Sequence, residues 1–254
     1  MLPNLSEPEF ASYRSPILAR RGMAASSQPL ASQAGLAILM QGGNAADAAV
    51  AMAAALNVTE PTSTGIGGDC FALYFDAASG AITALNGSGR APAALTIDLI
   101  TAQGLNHHAQ IADAFHAHTI TVPGACAAWC DLIARHGSLP LAEVLAPALR
   151  LAEEGFPVTP ITSYFWGRSA ERLTKAPGGA ALTLDGRAPR AGEVFRNPGL
   201  ARTFRTVAEG GAAAFYQGEI ARDIVRVVQA AGGVLAEADL AAHTSTWETP
   251  LSAP

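Results

Sequence analysis

The sequence predicts a helix-rich α+β fold with a central β-hairpin. Two observations carry this prediction. Between residues 22 and 92, two alanine-rich helical segments, a glycine loop and a β-hairpin follow one another without a linker, and beyond them several segments show the apolar spacing of amphipathic helices. The 254 residues are 50% hydrophobic, which is ample for a sizeable core. We predict an N-terminal arm over residues 1–16 and a domain over residues 17–254.

Composition excludes several classes of protein. The net charge is -5, and the 16 Lys and Arg residues form no basic cluster, so nucleic-acid binding is not expected. No stretch approaches the roughly 18 apolar residues that cross a bilayer, and the polar N-terminus lacks a secretory signal, so we expect no membrane partner and a cytoplasmic location. The three cysteines, Cys70, Cys126 and Cys130, are too few for a disulfide framework and are expected to be reduced.

A short strand and a helix are predicted in residues 22–43. Residues 22–27 are small and are compatible with a strand. A helix is expected to begin at Pro29, because proline suits the first helical turn, with Ser27 as its N-cap. The pair Gly42 and Gly43 ends it.

A second helix is predicted from Ala45 to Leu56. Asn44 precedes it and Asp47 follows three residues later, which is the spacing of a capping box. The helix is apolar on all sides and built mostly of alanine, so we expect it to be central and buried.

The hairpin follows the glycine loop, residues 65–68. Residues 71–75 alternate large and small side chains in the manner of a buried strand, 76–80 form a turn, and 81–85 return as the second strand. Later helical segments and turns are predicted at 125–135, 141–154, 197–210, 218–232 and 237–240, with a tight hairpin at 184–187 and a strand beginning near Trp247.

Four histidines lie between residues 97 and 120: His107, His108, His116 and His118. On a strand, His116 and His118 would face the same way and could chelate a metal. No Cys, Asp or Glu except Asp113 sits at a matching short spacing, so a solvated loop is the favoured interpretation and no metal site is predicted.

The glycine loop and Arg90 are the candidate binding elements. The loop lies between helix and strand, the reverse of a dinucleotide fingerprint, so its glycines are interpreted as allowing close packing on the alanine-rich helix, with Gly67 and Gly68 near a substrate. Arg90 follows the hairpin and suits bidentate binding of a carboxylate. The alternative is an exposed or structurally paired arginine, for which Asp69 is a candidate partner.

Several patterns together resemble the large subunit of the γ-glutamyltransferase family. The similar stretches, which extend over about residues 17–252, are Gly22–Ser26, Gly42–Ala51, Pro61 with Gly67, Gly68 and Phe71, Val122–Gly124, Gly137 with Pro140 and Leu141, Pro147 and Ala148, Gly155 and Phe156, Phe215 and Tyr216, and Gly232 and Gly233 with Asp239 and Leu240.

The resemblance implies an N-terminal-nucleophile hydrolase with an αββα sandwich, cut from one precursor into a large and a small subunit. The N-terminal threonine of the small subunit would attack a γ-glutamyl amide such as that of glutathione, and the acyl group would pass to water or an amino acid. No cofactor is implied. The expected partners are the small subunit and a small-molecule amide. The candidate substrate-binding residues are Arg90, Ser88, Asn86, Gly67, Gly68 and Asp69.

Two departures from the family pattern bear on function. Typical members have a carboxylate-binding arginine four residues before the proline of the Ala-Pro pair, where this chain has Ser88, and Arg90 lies two residues later. Such a shift keeps the same strand face, roughly 6 to 7 Å further along. The amino-acid sequence around Arg90 is similar to that of cephalosporin-acylase-like members of the family. A glutaryl-type acylase is therefore an alternative function.

The second departure concerns the nucleophile. No Ser-His-Asp, Cys-His or Gly-x-Ser-x-Gly arrangement stands in a credible context, and Thr244 and Thr246 lack the context of the family's threonine. We therefore expect the nucleophile to lie outside these residues and the chain alone to be inactive, with no catalytic residue of its own. A non-catalytic gene fragment or binding-only remnant is the rival interpretation.

Overall fold

Helices dominate the fold. The structure, a computed structural model, describes residues 15–105 and 116–252. The helices are α1 (Pro29–Met40), α2 (Ala45–Thr59), α3 (Ile97–Ala102), α4 (Ala125–His136), α5 (Leu141–Glu154), α6 (Pro160–Lys175), α7 (Pro198–Tyr216), α8 (Glu219–Ala230) and α9 (Glu237–Ala241). The strands are β1 (Cys70–Phe75), β2 (Ile82–Gly87), β3 (Phe156–Pro157), β4 (Val194–Phe195) and β5 (Thr246–Glu248). Short 3₁₀ turns lie at Ala117–Thr119 and Gly179–Leu182. In the two described ranges, no helix combines the length and apolarity needed to cross a bilayer.

Helix α2 is the centre of the core, as predicted. It packs between α1 and α5, and most of its alanine and valine side chains are buried. The predicted capping box is confirmed: the Asn44 side-chain oxygen accepts hydrogen bonds from the N–H groups of Ala46 and Asp47, and the Asn44 N–H donates to Asp47 Oδ2 at 2.8 Å. This start fixes α2 relative to the loop before it.

Asp47 has a second role that the sequence did not indicate. Its side chain is fully buried and also accepts the N–H groups of Ser138, at 3.0 and 3.1 Å, and Leu139, at 3.4 Å. These residues connect α4 to α5. One carboxylate therefore ties the start of the central helix to a loop about ninety residues away.

Two predictions for the first segment are wrong. The N-cap of α1 is Gln28, whose side chain accepts the Leu30 N–H, while the Ser27 hydroxyl donates to Glu60 at 2.8 Å. Residues 22–27 form no strand, because they run along α1, with Ala24 against Gly35, instead of beside another strand.

Three strands form an antiparallel sheet in the order β1-β2-β5. The hairpin pairs Cys70 with Gly87 and Phe75 with Ile82. Its turn is closed by Asp76, whose carboxylate accepts the Ser79 hydroxyl at 2.6 Å and the Ala78 N–H at 3.1 Å. The hairpin prediction is confirmed, and the strand expected near Trp247 is β5.

The prediction of a buried strand is wrong for one face of the hairpin. Phe71 is 67% exposed, Leu73 72%, Phe75 61% and Ile82 52%. Their alternation places them on the side of the sheet that faces away from α4, and no element of the described chain covers that side. We call these four residues the open sheet face.

Two of the later helices differ from the prediction. Helix α7 continues to Tyr216 beyond a break at Gly211, where φ is 62°. Helix α6 was not predicted, because its start lies in a run of Thr, Ser and aromatic residues without a clear apolar stripe. The turn at 184–187 is confirmed, with positive φ at Asp185 and Gly186. Helices α4, α5, α8 and α9 lie where expected.

The histidine-rich stretch is only partly described, since His107 and His108 lie outside the described residues. His116 and His118 are in a 3₁₀ turn, not on a strand. The His118 N–H donates to His116 Nδ1 at 3.1 Å, and His118 Nε2 lies 2.7 Å from Gln103 Oε1. Among the residues described, no group of three His, Cys, Asp or Glu side chains is placed to hold a metal ion.

Candidate functional site

The glycine loop is anchored to the start of α4. The Gly68 carbonyl accepts the N–H groups of Gly124, at 2.9 Å, and Ala125, at 2.8 Å, while its own N–H donates to the Gly65 carbonyl at 3.0 Å. Gly67 and Gly68 are both exposed. The loop thus presents its backbone to solvent at the N-terminus of a buried helix.

The close backbone approach expected of this loop occurs after the hairpin, at the end of β2. A Cβ on Gly89 would overlap the Val122 carbonyl, and a Cβ on Gly124 would overlap the Gly87 carbonyl. By contrast, a Cβ on Gly67 would meet nothing within 4 Å. The residues after β2 therefore lie backbone to backbone on the loop before α4, and glycine is required there for space.

Asp69 connects the glycine loop to this junction. Its Oδ1 accepts the Gly89 N–H at 2.8 Å, and it forms no ion pair with Arg90. The next residue is held in turn, because the Val122 N–H donates to the Arg90 carbonyl at 2.9 Å. Two hydrogen bonds therefore set the backbone position from which the Arg90 side chain projects.

The Arg90 side chain is exposed, and its guanidinium makes no hydrogen bond or ion pair with any other described residue. Its positive charge affects the pKa of His243. Burial is the main cause that lowers the pKa of His243, and Arg90 lowers it further, whereas Asp131 and Asp69 act in the opposite direction. The arrangement leaves an arginine fork open to an incoming anion.

Ser88 and Asn86 lie on either side of the end of β2. The exposed Ser88 donates its N–H to Asn86 Oδ1 at 3.0 Å, and Asn86 Nδ2 donates to Glu248 of β5 at 3.1 Å. Because Asn86 pairs across from Phe71, it lies on the same side of the sheet as the open sheet face. Its amide is therefore engaged within the sheet, whereas the Ser88 side chain is not.

The six predicted residues do not share one cavity. Gly68 and Asp69 line a cleft of about 460 Å³ between α2, the glycine loop and α4, which we call the loop cleft. Asn86 lines a separate depression of about 510 Å³ on the sheet. Gly67, Ser88 and Arg90 line neither, but Arg90 is joined to the cleft through the bond between Asp69 and Gly89.

Sequence reasoning missed two residues near this site. Asn57 in α2 is 5% exposed and lines the loop cleft. An amide in an otherwise apolar helix was the available signal. Tyr216 belongs to a stretch that resembles the family, but the sequence predicts no role for it. Its hydroxyl donates to the Pro123 carbonyl at 2.7 Å and accepts the Ala127 N–H at 3.1 Å, which fixes the loop behind Arg90. Burial raises the pKa of Tyr216, so the phenol stays protonated.

The thiol at the loop cleft is not activated as a nucleophile. Cys70, Cys126 and Cys130 are free. Burial raises the pKa of Cys70, the cysteine that lines the loop cleft, although a hydrogen bond from Trp129 opposes the shift. A thiol with a raised pKa is a poor nucleophile at neutral pH.

Comparison with known proteins decides the family. Residues 31–254 match the family model described as gamma-glutamyltranspeptidase. The chain belongs to the gamma-glutamyltranspeptidase family. Among curated proteins, the glutathione hydrolase-like YwrD proenzyme of Bacillus subtilis strain 168 is 38% identical over 237 residues, which is 93% of this chain and 44% of that protein. The chain thus spans less than half the length of this relative.

Solved structures of the gamma-glutamyltranspeptidase family share the fold. The cephalosporin acylase of Bacillus halodurans superposes with a TM-score of 0.91 at 44% identity, covering 100% of this chain and 48% of that one. The γ-glutamyltranspeptidase of Helicobacter pylori gives a TM-score of 0.86 at 30% identity, covering 93% and 68%. The predicted N-terminal-nucleophile hydrolase fold is confirmed, and this chain contains its helix-rich portion with the central hairpin.

Proposed function

We propose that this chain forms large-subunit structure in an enzyme that transfers or hydrolyses γ-glutamyl or related dicarboxylic amides such as glutathione. The observation that carries the proposal is the Arg90 side chain. It projects from a rigid backbone junction and has no partner among the described residues. A guanidinium held in this way binds a carboxylate through two parallel hydrogen bonds.

In the proposed mechanism, the nucleophile belongs to a segment outside this chain. In this scheme a threonine outside the chain, with its own α-amino group as base, attacks the amide carbonyl while Arg90 holds the acyl carboxylate. Binding of the remote carboxylate places the amide at the nucleophile. The chain by itself is therefore proposed to be inactive.

The open sheet face supports the proposal of a second subunit. Phe71, Leu73 and Phe75 are each more than half exposed on one side of the sheet. Large apolar side chains rarely lie together on the solvent-exposed surface of a soluble protein. We propose that the small subunit covers this face. Burial of the three side chains would contribute about 1.5 to 3 kcal/mol each.

A second candidate function is that of an acylase acting on dicarboxylic side-chain amides. It is favoured by Ser88, which occupies the position where typical family members have arginine, and by the higher identity to the cephalosporin acylase structure than to the transpeptidase structure. The two functions differ in whether the acyl group carries an α-amino group.

The test compares the 254-residue chain alone with the same chain co-produced with the C-terminal half of the Bacillus halodurans acylase. Hydrolysis of γ-glutamyl-p-nitroanilide and glutaryl-p-nitroanilide is followed in each. We expect no turnover by the chain alone and turnover by the pair. The preferred amide distinguishes the two candidate functions.

Arginine variants test the role of Arg90 in the active pair. Arg90→Ala is expected to lower kcat/KM roughly 100-fold, which corresponds to about 2.7 kcal/mol of transition-state stabilisation. Arg90→Lys is expected to have a smaller effect, because lysine keeps the positive charge but cannot form two parallel hydrogen bonds to one carboxylate. Arg202→Ala is the matched control, since Arg202 is an exposed arginine on α7. Turnover by the chain alone, or equal effects of Arg90→Ala and Arg202→Ala, would refute the proposal. An insoluble chain that the second half does not rescue would favour a gene fragment.

A further inference from the structure

The loop cleft contains polar groups that the proposed role of Arg90 does not use. It has a volume of about 460 Å³ and opens between α2 and the glycine loop. We infer that it binds a primary ammonium group carried on a short apolar stem.

An unsatisfied acceptor at the cleft is the first argument. Asn57 is 5% exposed, and its Nδ2 donates to the Thr64 hydroxyl at 3.1 Å. Its Oδ1 is buried and has no hydrogen-bond partner in the described residues. A buried carbonyl oxygen without a donor is costly, so a donor-bearing group that reaches it gains more than an ordinary hydrogen bond would supply.

The remaining lining determines the charge of the ligand. Asp69 is the one charged side chain among the described lining residues, so the field in the cleft favours a cation. Hydroxyl oxygens of Thr62, Ser63 and Thr64 add further acceptors. Several acceptors in one cleft match the three N–H donors of an ammonium group.

Part of the cleft lining is apolar. Trp129, which is 3% exposed, lines the cleft together with Leu56 and Ala53. An indole beside an ammonium group adds cation–π attraction, and the aliphatic side chains accommodate a hydrocarbon stem. The cleft therefore suits an alkylammonium better than a free inorganic cation.

The loop cleft lies next to the backbone junction that holds Arg90, which relates the ammonium site to the proposed reaction. Asp69 lines the cleft and bonds the N–H of Gly89, the residue before Arg90. Hydrolysis of an amide at neutral pH yields a carboxylate and an ammonium. If the proposed function holds, on which this step of the inference rests, Arg90 holds the remote carboxylate of the released acid while the loop cleft holds the ammonium group of the released amine.

Binding is tested on the purified chain by NMR with n-propylammonium chloride. The chain has three tryptophans, so the Trp129 indole N–H signal can be assigned with Trp129→Phe. We expect a saturable shift of that signal with propylammonium and none with n-propanol, sodium propionate or sodium chloride. Equal shifts with n-propanol would overturn the inference.

Variants identify the groups responsible. Asp69→Asn keeps an oxygen for the Gly89 N–H and removes the charge, and it should weaken binding about tenfold. Asn57→Leu should abolish the shift, and Gln33→Leu, an exposed amide outside the cleft, should leave it unchanged. Unchanged binding by Asp69→Asn would overturn the inference even if Asn57→Leu fails to fold.

The inference and the proposed function can fail separately. The binding experiment needs no catalysis. If the chain shows a saturable shift but the co-produced pair has no activity, the ammonium site is supported and the proposed enzymatic function is refuted. An active enzyme whose chain shows no shift would refute the site alone. In the active pair, propylammonium should inhibit turnover less in Asp69→Asn than in the parent enzyme.

Discussion

The junction between Gly89 and Val122 makes a sharp prediction about stability. In Gly89→Ala, the new Cβ would overlap the Val122 carbonyl oxygen and come within 2.7 Å of its carbonyl carbon. Both atoms belong to the backbone, so no side-chain rotation relieves the overlap. The strand and the loop must separate.

Separation breaks two hydrogen bonds. One joins the Gly89 N–H to the Asp69 carboxylate at 2.8 Å, and the other joins the Val122 N–H to the Arg90 carbonyl at 2.9 Å. At about 2 kcal/mol for the charge-assisted bond and about 1 kcal/mol for the neutral one, the expected loss is about 3 kcal/mol. For a chain of this length that corresponds to a fall in Tm of roughly 6 to 12 °C.

Thermal unfolding followed by circular dichroism measures this loss. Gly67→Ala is the matched control, because Gly67 is a loop glycine with nothing within 4 Å of an added Cβ, and no strain from positive φ. The control is expected to match the parent chain or exceed it slightly. If Gly89→Ala unfolds within about 2 °C of Gly67→Ala, the backbone contact does not stabilise the fold as argued.

Three further variants test other parts of the structure. Asp47→Ala removes the buried acceptor of several backbone N–H groups and should lower the free energy of unfolding in urea by about 3 to 5 kcal/mol, with Asp47→Asn losing less. Tyr216→Phe leaves two buried backbone groups without a partner and should cost about 1 to 3 kcal/mol in the same assay; no change would contradict the role given to its hydroxyl. Arg187 holds the pKa of Glu193 at about 2, below its ordinary 4.5. The resulting stabilisation is present above pH 4.5 and is lost as the pH falls toward 2, so the urea midpoints of the parent and Glu193→Gln should differ at pH 7 and converge at pH 2.

The elements that the sequence predicted correctly are those with local signals. Asn44 and Asp47 specify a helix start through neighbouring side chains and N–H groups, and Asp185 with Gly186 specifies a tight turn. Each signal acts within a few residues, so its outcome does not depend on the rest of the fold. The capping box of α2 and the turn at 184–187 could therefore be predicted from the sequence alone.

What the sequence could not supply were contacts between distant segments. The requirement for glycine at position 89 arises from Val122, and the second role of Asp47 arises from Ser138, far along the chain. Likewise, the exposure of Phe71 depends on which elements cover the sheet, whereas alternation indicates only that one face differs from the other. The six candidate site residues remain predictions, and the structure assembles them only partly around the loop cleft.

The open sheet face makes the stability of this chain a concentration-dependent quantity. Any molecule that binds the exposed Phe71, Leu73 and Phe75 only in the folded state shifts the folding equilibrium by mass action. A ligand present at 100 times its Kd would add about 2.7 kcal/mol, a large fraction of the 5 to 15 kcal/mol that a typical domain possesses. The Tm of the isolated chain is therefore a lower bound that rises with the concentration of whatever covers the sheet.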